Sequence, residues 1–483
     1  MADSNGDSGP DVYAVFGADP EVTAYALAKY SRSALPLREA LQEISREKAE
    51  KFLNTFYFQY GHRSIADLAH VAMAVERLSI LAAIEVADES KWDGQERSTR
   101  YQAFRPGDWI TPPELDAGRQ PAYKAAMSAL FAAYQAATEA VAAHYHASVP
   151  RPEEMKPEAF ERTLRARAFD AARYLLPLGA QTSLGQIVSA RVLEQQIVRL
   201  VSSPYAEVRS VGAALRAAAG APAYNPAGDS TAQPVRVAPT LVKYTDPSRY
   251  QTETRVELAA AAADLLAGIP SEAAPRVELA PPLALEVELP ATLLYGACHY
   301  PYRQIAAAVA ALPAARREEI TALALRHRGA HDELARAFQC GAAFAFDLCM
   351  DIGGFRDLHR HRRCTQILQP YTFAHGYETP EVMAPAGVTA AYRSAMAAAR
   401  QAGEALGAAG HYLLPLGHRR RCLFKMDLAE LAYIAELRTA PGGHISYRQA
   451  AWEMWQAALQ RHPALRGMAR VTAPAEQEAL LQR

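Results

Sequence analysis

The sequence predicts an α+β fold arranged as two tandem repeats. The hexapeptide YLLPLG occurs twice, at residues 174–179 and 412–417, and each copy is followed by a segment with apolar residues at helical spacing. Short stretches with β-strand character lie among many helical segments, which is typical of α+β proteins. We interpret the repeat as the trace of an ancient duplication.

The periodicity of apolar residues predicts the individual elements. In the first half it predicts an amphipathic helix at 36–57, a helical turn leading into a strand at 65–75, a long Ala-rich helix at 123–146 and a helix at 187–201. In the second half it predicts helices at 318–338 and 448–459, and either a strand or a buried helix at 342–350. The first half is the longer one around its Ala-rich helix.

The boundary between the halves is marked by composition. Residues 219–248 are rich in Gly, Pro, Asn and Ser, as expected of a linker or a long surface loop. We therefore predict a first repeat at 1–220, a linker at 221–245 and a second repeat at 246–483. A chain of 483 residues suits two domains of roughly 200 residues each.

Charge and cysteine content exclude several classes of protein. The 51 Lys and Arg residues nearly balance the 52 Asp and Glu residues, so the broad positive charge of a nucleic-acid or membrane-surface binder is missing. The 23 tyrosines do not form a base-stacking platform without such a surface. The N-terminus lacks the pattern of a signal peptide, and no apolar run reaches the length of a membrane span. Five cysteines without CxxC spacing favour reduced thiols and a cytoplasmic location.

Two short motifs in different halves carry the chemistry. Residues 360–362 read Arg-His-Arg, and residues 95–101 read QERSTRY. Guanidinium groups stay charged and fork onto planar anions, so paired arginines suit a phosphate or an electron-rich ring. The tripeptide alone is weak evidence, because a second copy at 326–328 has none of the following context and fits a solvated basic patch.

Together these motifs resemble the signature of flavin-dependent thymidylate synthases. That signature is Arg-His-Arg, seven arbitrary residues, then Ser, usually read through an acidic residue into Ser-x-Arg-Tyr. Its start resembles Arg360, His361 and Arg362, and its end resembles Glu96, Ser98, Arg100 and Tyr101. The first half has Asp88-Glu89-Ser90 where Arg-His-Arg would stand, and the second half has Pro370 in place of the serine.

Other elements of the resemblance follow the same division. His62 and Ser64 lie in a segment similar to the family's Gly-His-x-Ser, and Arg173 matches an arginine that contacts the nucleotide. Arg438 matches an arginine that stabilises ionised uracil, whereas the first half has Leu200 at the ungapped position, with Arg199 one residue away. Each half retains what the other has lost, which predicts one composite site built from both.

The resemblance implies a function. It predicts an enzyme that uses FAD to transfer a one-carbon unit from methylene-tetrahydrofolate to carbon 5 of dUMP, giving dTMP, with NADPH as reductant. It also implies two tandem copies of the family fold, in which helices pack around a small antiparallel sheet. Family enzymes have four subunits, so a duplicated chain is expected to form a homodimer that mimics them. Small-molecule nucleotide and folate are the expected partners, without nucleic acid or membrane.

The resemblance also assigns roles to residues. Arg438 would stabilise charge on the uracil ring, and Ser98 with Arg100 and Arg173 would hold the nucleotide phosphate. The full substrate-binding set is Glu96, Arg97, Ser98, Arg100, Arg173, Asp357, Arg360 and Arg438. The flavin-binding set is His62, Ser64, Glu96, Ser189, Arg191, Arg360, His361 and Arg362.

Departures from the family pattern leave the substrate open. Asp357 stands where a glutamine commonly faces the nucleotide, and an ionised carboxylate accepts hydrogen bonds but cannot donate them. Ser189 and Asp427 stand where an asparagine is usual, and Asp427 is also explained as a helix cap. Another pyrimidine nucleotide therefore remains an alternative to dUMP.

Three other interpretations of the motifs compete with this one. His359, His361 and Cys364 have a spacing that could ligate zinc, but the intervening arginines would repel a cation and no further ligand is evident, so we predict no metal. Cys298-His299 could be a nucleophile beside a base, although such a pair is more often buried packing. A homologue that binds flavin or nucleotide as a structural or regulatory partner, without catalysis, is the alternative of a different class.

Overall fold

The structure is a computed structural model that describes residues 17–29, 63–224, 235–329, 332–475 and 480–481, together with Leu41, Ala49 and Lys51. The chain forms two compact units, each discontinuous in sequence. The first unit comprises residues 1–73, 187–198 and 212–245, and the second comprises 74–186, 199–211 and 246–483. The repeat boundaries at 220 and 246 stay a prediction from the sequence.

The described elements of the first half alternate between helices and short strands. In chain order they are α1 (Pro20–Lys29), β1 (His70–Ser79), α2 (Ile80–Ala87), β2 (Asp93–Glu96), α3 (Gln120–Ser148), α4 (Pro157–Ala172), β3 (Gln181–Ser189), α5 (Ala190–Val201) and α6 (Ala206–Gly220). Short 3-10 turns occupy Arg63–Asp67 and Arg173–Leu175. The strands form one sheet in the order β1-β3-β2.

The second half begins with helices and then returns to the same alternation. Its elements are α7 (Arg249–Leu265), β4 (Val277–Leu279), α8 (Leu285–Tyr295), α9 (Tyr302–Ala310), α10 (Ala314–Leu323), β5 (Phe344–Asp351), α11 (Ile352–Leu358), β6 (Thr365–Leu368), α12 (Thr389–Ala405), β7 (Arg419–Met426), α13 (Leu428–Thr439) and α14 (Ile445–Arg461). The strands form an antiparallel sheet in the order β4-β5-β7-β6.

This second sheet is buried on both faces. In β7, Cys422, Phe424 and Met426 pack into a core with α13 and α14, while Leu423 packs into a core with α7 to α10. The register of β5 on β7 runs from Phe344 opposite Met426 to Asp351 opposite Arg419. Because alternate residues of a strand point to opposite faces, helices on both sides explain why residues on both faces of β7 are buried.

The two halves repeat the same unit, as the duplication predicts. The strand–helix–strand set β1-α2-β2 recurs as β5-α11-β6, with Ser79 and Asp351 as equivalent helix caps 272 positions apart (351 minus 79). The Oγ of Ser79 accepts a hydrogen bond from Ala82 N at 3.0 Å, and Oδ1 of Asp351 accepts one from Gly354 N at 2.6 Å. The strand–helix pair β3-α5 likewise recurs as β7-α13. The fold is therefore α+β with tandem copies.

The two YLLPLG segments pair with each other. Leu178 N donates to Leu414 O and Leu416 N donates to Leu176 O, each at 2.9 Å. Gly179 N donates to Tyr412 O at 2.7 Å, and the equivalent Gly417 N donates to Tyr174 O at 3.0 Å. These reciprocal bonds relate the repeats by a local two-fold arrangement, centred on the antiparallel bridge between Pro177 and Pro415.

The helices that flank this contact are related too, but they differ in length. Tyr123 of α3 donates to Ile110 O at 2.6 Å, and Tyr392 of α12 donates to Glu378 O, so one buried tyrosine anchors each helix. α3 has 29 residues and α12 has 17, and α4 adds a further 16 residues in the first half. The extra length that the sequence indicated in the first half lies in α3 and α4.

Most of the predicted elements are confirmed with shifted boundaries. The long helix at 123–146 is α3, the segment 448–459 lies within α14, and 342–350 is strand rather than helix. Part of 65–75 is β1, as predicted, but 187–189 belong to β3 rather than to the helix that follows. The helix predicted over 318–338 is wrong after Leu323, where turns replace it. Most of the helix predicted at 36–57 lies outside the described residues.

Among the described residues, none of the helices combines the length and apolarity needed to cross a membrane.

Replacing either glycine of the repeat contact is expected to destabilise the protein. A Cβ at Gly179 would meet Tyr123 Oη at 2.7 Å and Tyr412 O at 2.9 Å, and one at Gly417 would meet Tyr392 Oη at 2.8 Å. We expect Gly179→Ala and Gly417→Ala each to lower the free energy of unfolding by about 1–3 kcal/mol, measured by chemical denaturation. Gly220→Ala is the control, because its Cβ would meet nothing within 4 Å at the end of α6. Equal midpoints for all three variants would contradict this account of the contact.

Candidate functional site

The first-repeat motif forms a turn directly after β2. Ser98 Oγ accepts a hydrogen bond from Arg100 N at 3.2 Å, which closes the turn and directs Arg100 inward. Arg97 points the other way, since its Nη2 donates to Ala103 O at 2.9 Å and its guanidinium lies 4.2 Å from the ring centre of Phe104. Within this motif Arg100 and Arg97 therefore have different environments.

The second-repeat motif lies at the end of α11, before β6. His361 is buried and Arg360 is exposed. The guanidinium of Arg362 lies 5.1 Å from the ring centre of Trp92, within cation–π distance. The three residues of the tripeptide therefore have three different environments, and Arg360 is the most accessible.

Glu96 joins the two motifs. Its carboxylate forms a short ion pair with Arg356 of α11, four residues before Arg360. Burial alone would raise the pKa of Glu96, but Arg356, with smaller contributions from Arg360 and His359, lowers that pKa below its usual value. Glu96 is therefore ionised at neutral pH and ties the first repeat to the second.

Asp170 holds the two first-repeat arginines together. Its carboxylate accepts two hydrogen bonds from Arg100, at 3.0 Å from Nε and 3.2 Å from Nη2, and lies 3.3 Å from Arg173 Nε. Nη1 of Arg173 also lies 3.9 Å from Asp357 of the second repeat. Nη2 of Arg173 is buried and has no acceptor among the residues that the structure describes. One buried arginine donor is thus left for an acceptor outside this set.

The charges of this cluster follow from burial and from its neighbours. Burial alone would raise the pKa of Asp170, but His444, Arg173 and Arg100 together hold it well below its usual range. Burial, the largest cause, lowers the pKa of His444 to about 3 although Asp170 lies 3.8 Å away. At neutral pH the carboxylate is therefore ionised and the imidazole is neutral, so the arginines supply the compensating charge.

Tyr447 connects Arg100 with Arg438. The ring centre of Tyr447, on α14, lies 6.0 Å from the Arg100 guanidinium and 5.6 Å from the Arg438 guanidinium. Nη1 of Arg100 is also 3.5 Å from the tyrosine hydroxyl. Two residues of the predicted substrate-binding set, one from each repeat, thus lie beside the same side chain within a single chain.

Arg438 is oriented by a neutral histidine. Its Nε donates to His361 Nε2 at 2.7 Å, and His361 Nδ1 lies 3.5 Å from Glu430 Oε1. Burial, the largest cause, lowers the pKa of His361. The neutral tautomer with its proton on Nδ1 satisfies both contacts. Neither terminal nitrogen of Arg438 has an acceptor among the described residues, so both remain available to a ligand.

Four predicted flavin-binding residues lie elsewhere in the chain or outside the described part. His62 lies outside the described residues, and Ser64 lies in the 3-10 turn Arg63–Asp67. Ser189 caps α5, where its Oγ accepts from Val192 N at 3.3 Å, and Arg191 forms an ion pair with Asp67 at 3.2 Å. Ser64, Ser189 and Arg191 belong to the first compact unit. Their role in flavin binding stays a prediction.

Four site residues were missed by reasoning from the sequence: Arg356, Asp170, Tyr447 and Glu430. Two of them carry a signal, because Arg356 lies four residues before Arg360 and Asp170 three residues before Arg173, at helical spacing. Tyr447 and Glu430 lie at the site only because α13 and α14 pack there, so no local sequence pattern predicts their role.

In the first repeat, Asp88 and Glu89 stand at the positions that correspond to Arg360 and His361, and both form ion pairs. Asp88 Oδ1 binds Arg336 at 2.6 Å, and Glu89 Oε1 binds Arg199 Nε at 2.7 Å. The Glu89–Arg199 contact takes the place of the His361–Arg438 contact of the composite site, one helical position earlier on α5 than on α13. Burial opposes ionisation of Asp88, but Arg336 and other neighbouring cations lower its pKa to about 2.

The competing motifs have ordinary contacts. Burial raises the pKa of Cys298 to about 11, so it is a thiol at neutral pH and a poor nucleophile. His359 Nδ1 lies 2.7 Å from Gln366 Oε1, and Cys364 Sγ donates to His361 O. Arg326 and His327 of the other Arg-His-Arg tripeptide both contact Glu257. No group of three or more potential metal ligands occurs among the described residues.

Comparison with known families agrees with this architecture. The family model described as "Thymidylate synthase complementing protein" matches residues 14–220 and 300–464, one segment in each half. The chain therefore belongs to this family, that of the flavin-dependent thymidylate synthases, as a divergent member with two tandem copies.

Relatives fall into two kinds. A "UPF0159 protein" of Chlamydia muridarum is 27% identical over 92% of this chain and 89% of its own length, and one of Thermoplasma acidophilum is 23% identical over 92% and 93%. A "Flavin-dependent thymidylate synthase" of Clostridium tetani is 25% identical but aligns with only 48% of this chain and 84% of its own length. The double-length arrangement is thus shared with the first kind.

A solved structure of the Helicobacter pylori flavin-dependent thymidylate synthase, complexed with FAD and dUMP, is also similar. It is 14% identical and covers 41% of this chain and 89% of its own, with a TM-score of 0.25.

Stability is expected to fall on acidification in a way that depends on His444. Its pKa is about 3 in the folded protein and near 6.5 when unfolded, so the unfolded state binds more protons between these values. His444 therefore stabilises the fold fully above about pH 6.5 and progressively less as the pH falls. His444→Asn keeps a helix cap without a titrating group, so we expect a decline shallower by up to about 1.4 kcal/mol per pH unit.

This is measured as the free energy of unfolding between about pH 7 and pH 5.5. His70→Gln is the control, because His70 is exposed on β1. Parallel pH profiles for wild type and His444→Asn would contradict the proposed role of His444.

Proposed function

We propose that this protein is an FAD-dependent methyltransferase that makes dTMP from dUMP, with methylene-tetrahydrofolate as carbon donor and NADPH as reductant. It carries one composite site in each chain. The observation that supports this most is the convergence of complementary residues, since Arg100 of the first repeat and Arg438 of the second flank the same ring of Tyr447. If two redundant sites had decayed at random, the surviving residues would not be expected to lie together in one cluster.

The donor set fits a nucleotide. Among the described residues, Arg173 has a buried nitrogen without an acceptor, Arg100 contacts the same Asp170 carboxylate, and Ser98 supplies a hydroxyl in the turn that carries Arg100. Charge-assisted hydrogen bonds from two arginines are the usual way to hold a phosphate. Asp357 borders this set, 3.9 Å from Arg173, and would accept hydrogen bonds from the donor edge of a pyrimidine or from the sugar. Glu96 and Arg97 precede Ser98 in the chain, but Arg97 is directed toward Phe104 and away from the set.

The second-repeat residues fit FAD. Nε of Arg356 is buried without an acceptor among the described residues, and Arg360 exposes its guanidinium. Arg360, His361 and Arg362 would hold the phosphates and ring of FAD, with Glu96 alongside. When bound, FAD supplies the carrier through which the one-carbon unit and the reducing equivalents pass.

Arg438 has the central electrostatic role in the proposed reaction. Carbon 5 of uracil becomes nucleophilic when negative charge develops over N3 and O4, and a cation fixed beside those atoms lowers the barrier. The neutral His361 occupies Nε of Arg438 and leaves its two terminal nitrogens facing outward from the pair. The histidine thus orients the arginine without adding a competing positive charge.

Each chain is proposed to pair with a second copy as a homodimer. Family enzymes combine four subunits, and two tandem chains provide four repeats. Each chain then contributes one composite site and one degenerate site.

An altered-substrate homologue is the second candidate, and Asp170 is the observation that favours it. Its carboxylate already occupies the Nε and Nη2 donors of Arg100, so a phosphate must share or displace that contact. Such a protein would bind flavin or another pyrimidine nucleotide, as an enzyme of different specificity or as a non-catalytic structural or regulatory partner.

Arg100→Ala and Arg438→Ala are each expected to abolish most turnover of dUMP. Arg100 is the proposed phosphate ligand, and Arg438 is the proposed cation that stabilises the transition state. Loss of either should lower kcat/KM by about 100-fold or more. The assay follows dTMP formation from dUMP, methylene-tetrahydrofolate, NADPH and FAD. Arg326→Ala is the control, because Arg326 lies in the exposed tripeptide paired with Glu257.

Mixing the two inactive variants should restore nothing, because the proposed site takes both arginines from one chain. Restored activity would mean that the site crosses chains. Saturable binding of a different pyrimidine nucleotide, with none of dUMP, would favour the altered-substrate homologue.

FAD is expected to bind once per chain. The degenerate site has Asp88 and Glu89 where Arg360 and His361 stand in the composite site, and carboxylates repel the flavin's phosphates. Titration followed by the flavin absorbance spectrum should therefore saturate at one FAD per chain. Two FAD per chain would show that the degenerate site is functional, and a protein that rejects FAD would count against the proposed enzyme.

A further inference from the structure

A small polar cavity lies at the start of α14. It has a volume of about 240 Å³ and is lined by the first turn of α14, including His444, Ser446 and Arg448, and by Arg167 and Asp170 of α4. The segment 378–382 closes another side. Neither Glu96 nor Arg438 lines it.

Arg448 is a buried cation without a counter-ion. Its exposed fraction is 2%, and its Nε donates to Thr439 O at 3.2 Å. Within the described part of the chain, no carboxylate lies within 4.0 Å of Arg448 and its two terminal nitrogens have no acceptor. A buried charge that lacks a partner is costly, so its persistence indicates that an anion normally completes the site.

A second arginine borders the same space. Arg167 is buried, its Nε donates to Leu480 O at 2.8 Å, and its Nη1 lies 4.0 Å from Asp170 Oδ2. Burial is the main cause that lowers the pKa of Arg448, and repulsion from Arg167 lowers it further. Arg448 therefore lines the cavity beside a second buried guanidinium group, which has partners of its own.

The carboxylates on the cavity wall do not neutralise Arg448. Asp170 is bound by Arg100 at 3.0 Å, and Glu378 is bound by Arg419 at 2.8 Å. Glu381 is exposed, so solvent screens its charge. None of the three lies within 4.0 Å of Arg448.

The helix itself adds to the attraction. α14 has 17 residues, and its N-terminus, from Gly443 to Ser446, faces the cavity. The free amide groups and the dipole at the start of a helix favour an anion. The helix N-terminus and the buried Arg448 in its first turn therefore both favour an anion in this cavity.

We propose that this cavity binds a small oxyanion, a phosphate or a carboxylate, through Arg448 and Arg167 at the N-terminus of α14. Its volume suits a single such group rather than a whole nucleotide. The site is separate from the proposed phosphate ligands Arg100 and Arg173, although Asp170 borders both.

Isothermal titration calorimetry of the full chain at constant ionic strength tests this proposal, with chloride as the reference anion. One arm uses inorganic phosphate and the other uses acetate, which distinguishes the two sources of an oxyanion. Saturable binding of at least one of them to wild type is expected, and Arg448→Gln should weaken it by about tenfold or more. Arg470→Gln is the matched control, because the Arg470 side chain is 96% exposed.

Two results would overturn the proposal. One is the absence of saturable binding of either anion to wild type. The other is unchanged affinity in Arg448→Gln, which would assign the anion to another site, such as Arg100 and Arg173. If Arg448→Gln does not fold, Arg448→Lys keeps the charge but loses the planar fork. Affinity equal to wild type in Arg448→Lys would then also overturn it.

Discussion

The reciprocal backbone contact between the two YLLPLG segments is the constraint on which the arrangement of both repeats depends. Four main-chain hydrogen bonds join residues 174–179 to 412–417. The equivalent glycines, Gly179 and Gly417, allow the two segments to approach that closely. Arg173 immediately precedes the first segment, so the same contact carries it toward the second repeat. Complementary residues from the two halves can therefore meet without a second chain.

Once the repeats are joined in this way, the equivalent positions of the two repeats have different contacts. In the second repeat, Arg438 donates to a neutral His361, and its terminal nitrogens have no acceptor among the residues that the structure describes. In the other, Glu89 forms an ion pair with Arg199, which uses the arginine up internally. A buried charge is tolerated when it is paired, so at these positions of the first repeat the charged side chains bind each other.

Asp170 shows how stability and binding interact in the retained site. A buried carboxylate allows Arg100 and Arg173 to stay charged side by side, because their mutual repulsion and desolvation would otherwise be costly. The same carboxylate competes with any phosphate for those donors. For the proposed nucleotide, affinity would therefore depend on competition between this internal carboxylate and the external phosphate, whereas Arg448 has no such internal carboxylate among the described residues.

The sequence by itself determined the duplication, the family and the two motif halves, because each is encoded in local residue order: YLLPLG recurs, and Arg360 to Arg362 and Glu96 to Tyr101 keep their spacing. Helices with strong periodicity, such as α3, were also predictable. Only the tertiary structure decided which groups face one another. Tyr447 joins Arg100 to Arg438 and Asp170 joins Arg100 to Arg173 because helices far apart in sequence pack together, and no local pattern encodes that packing.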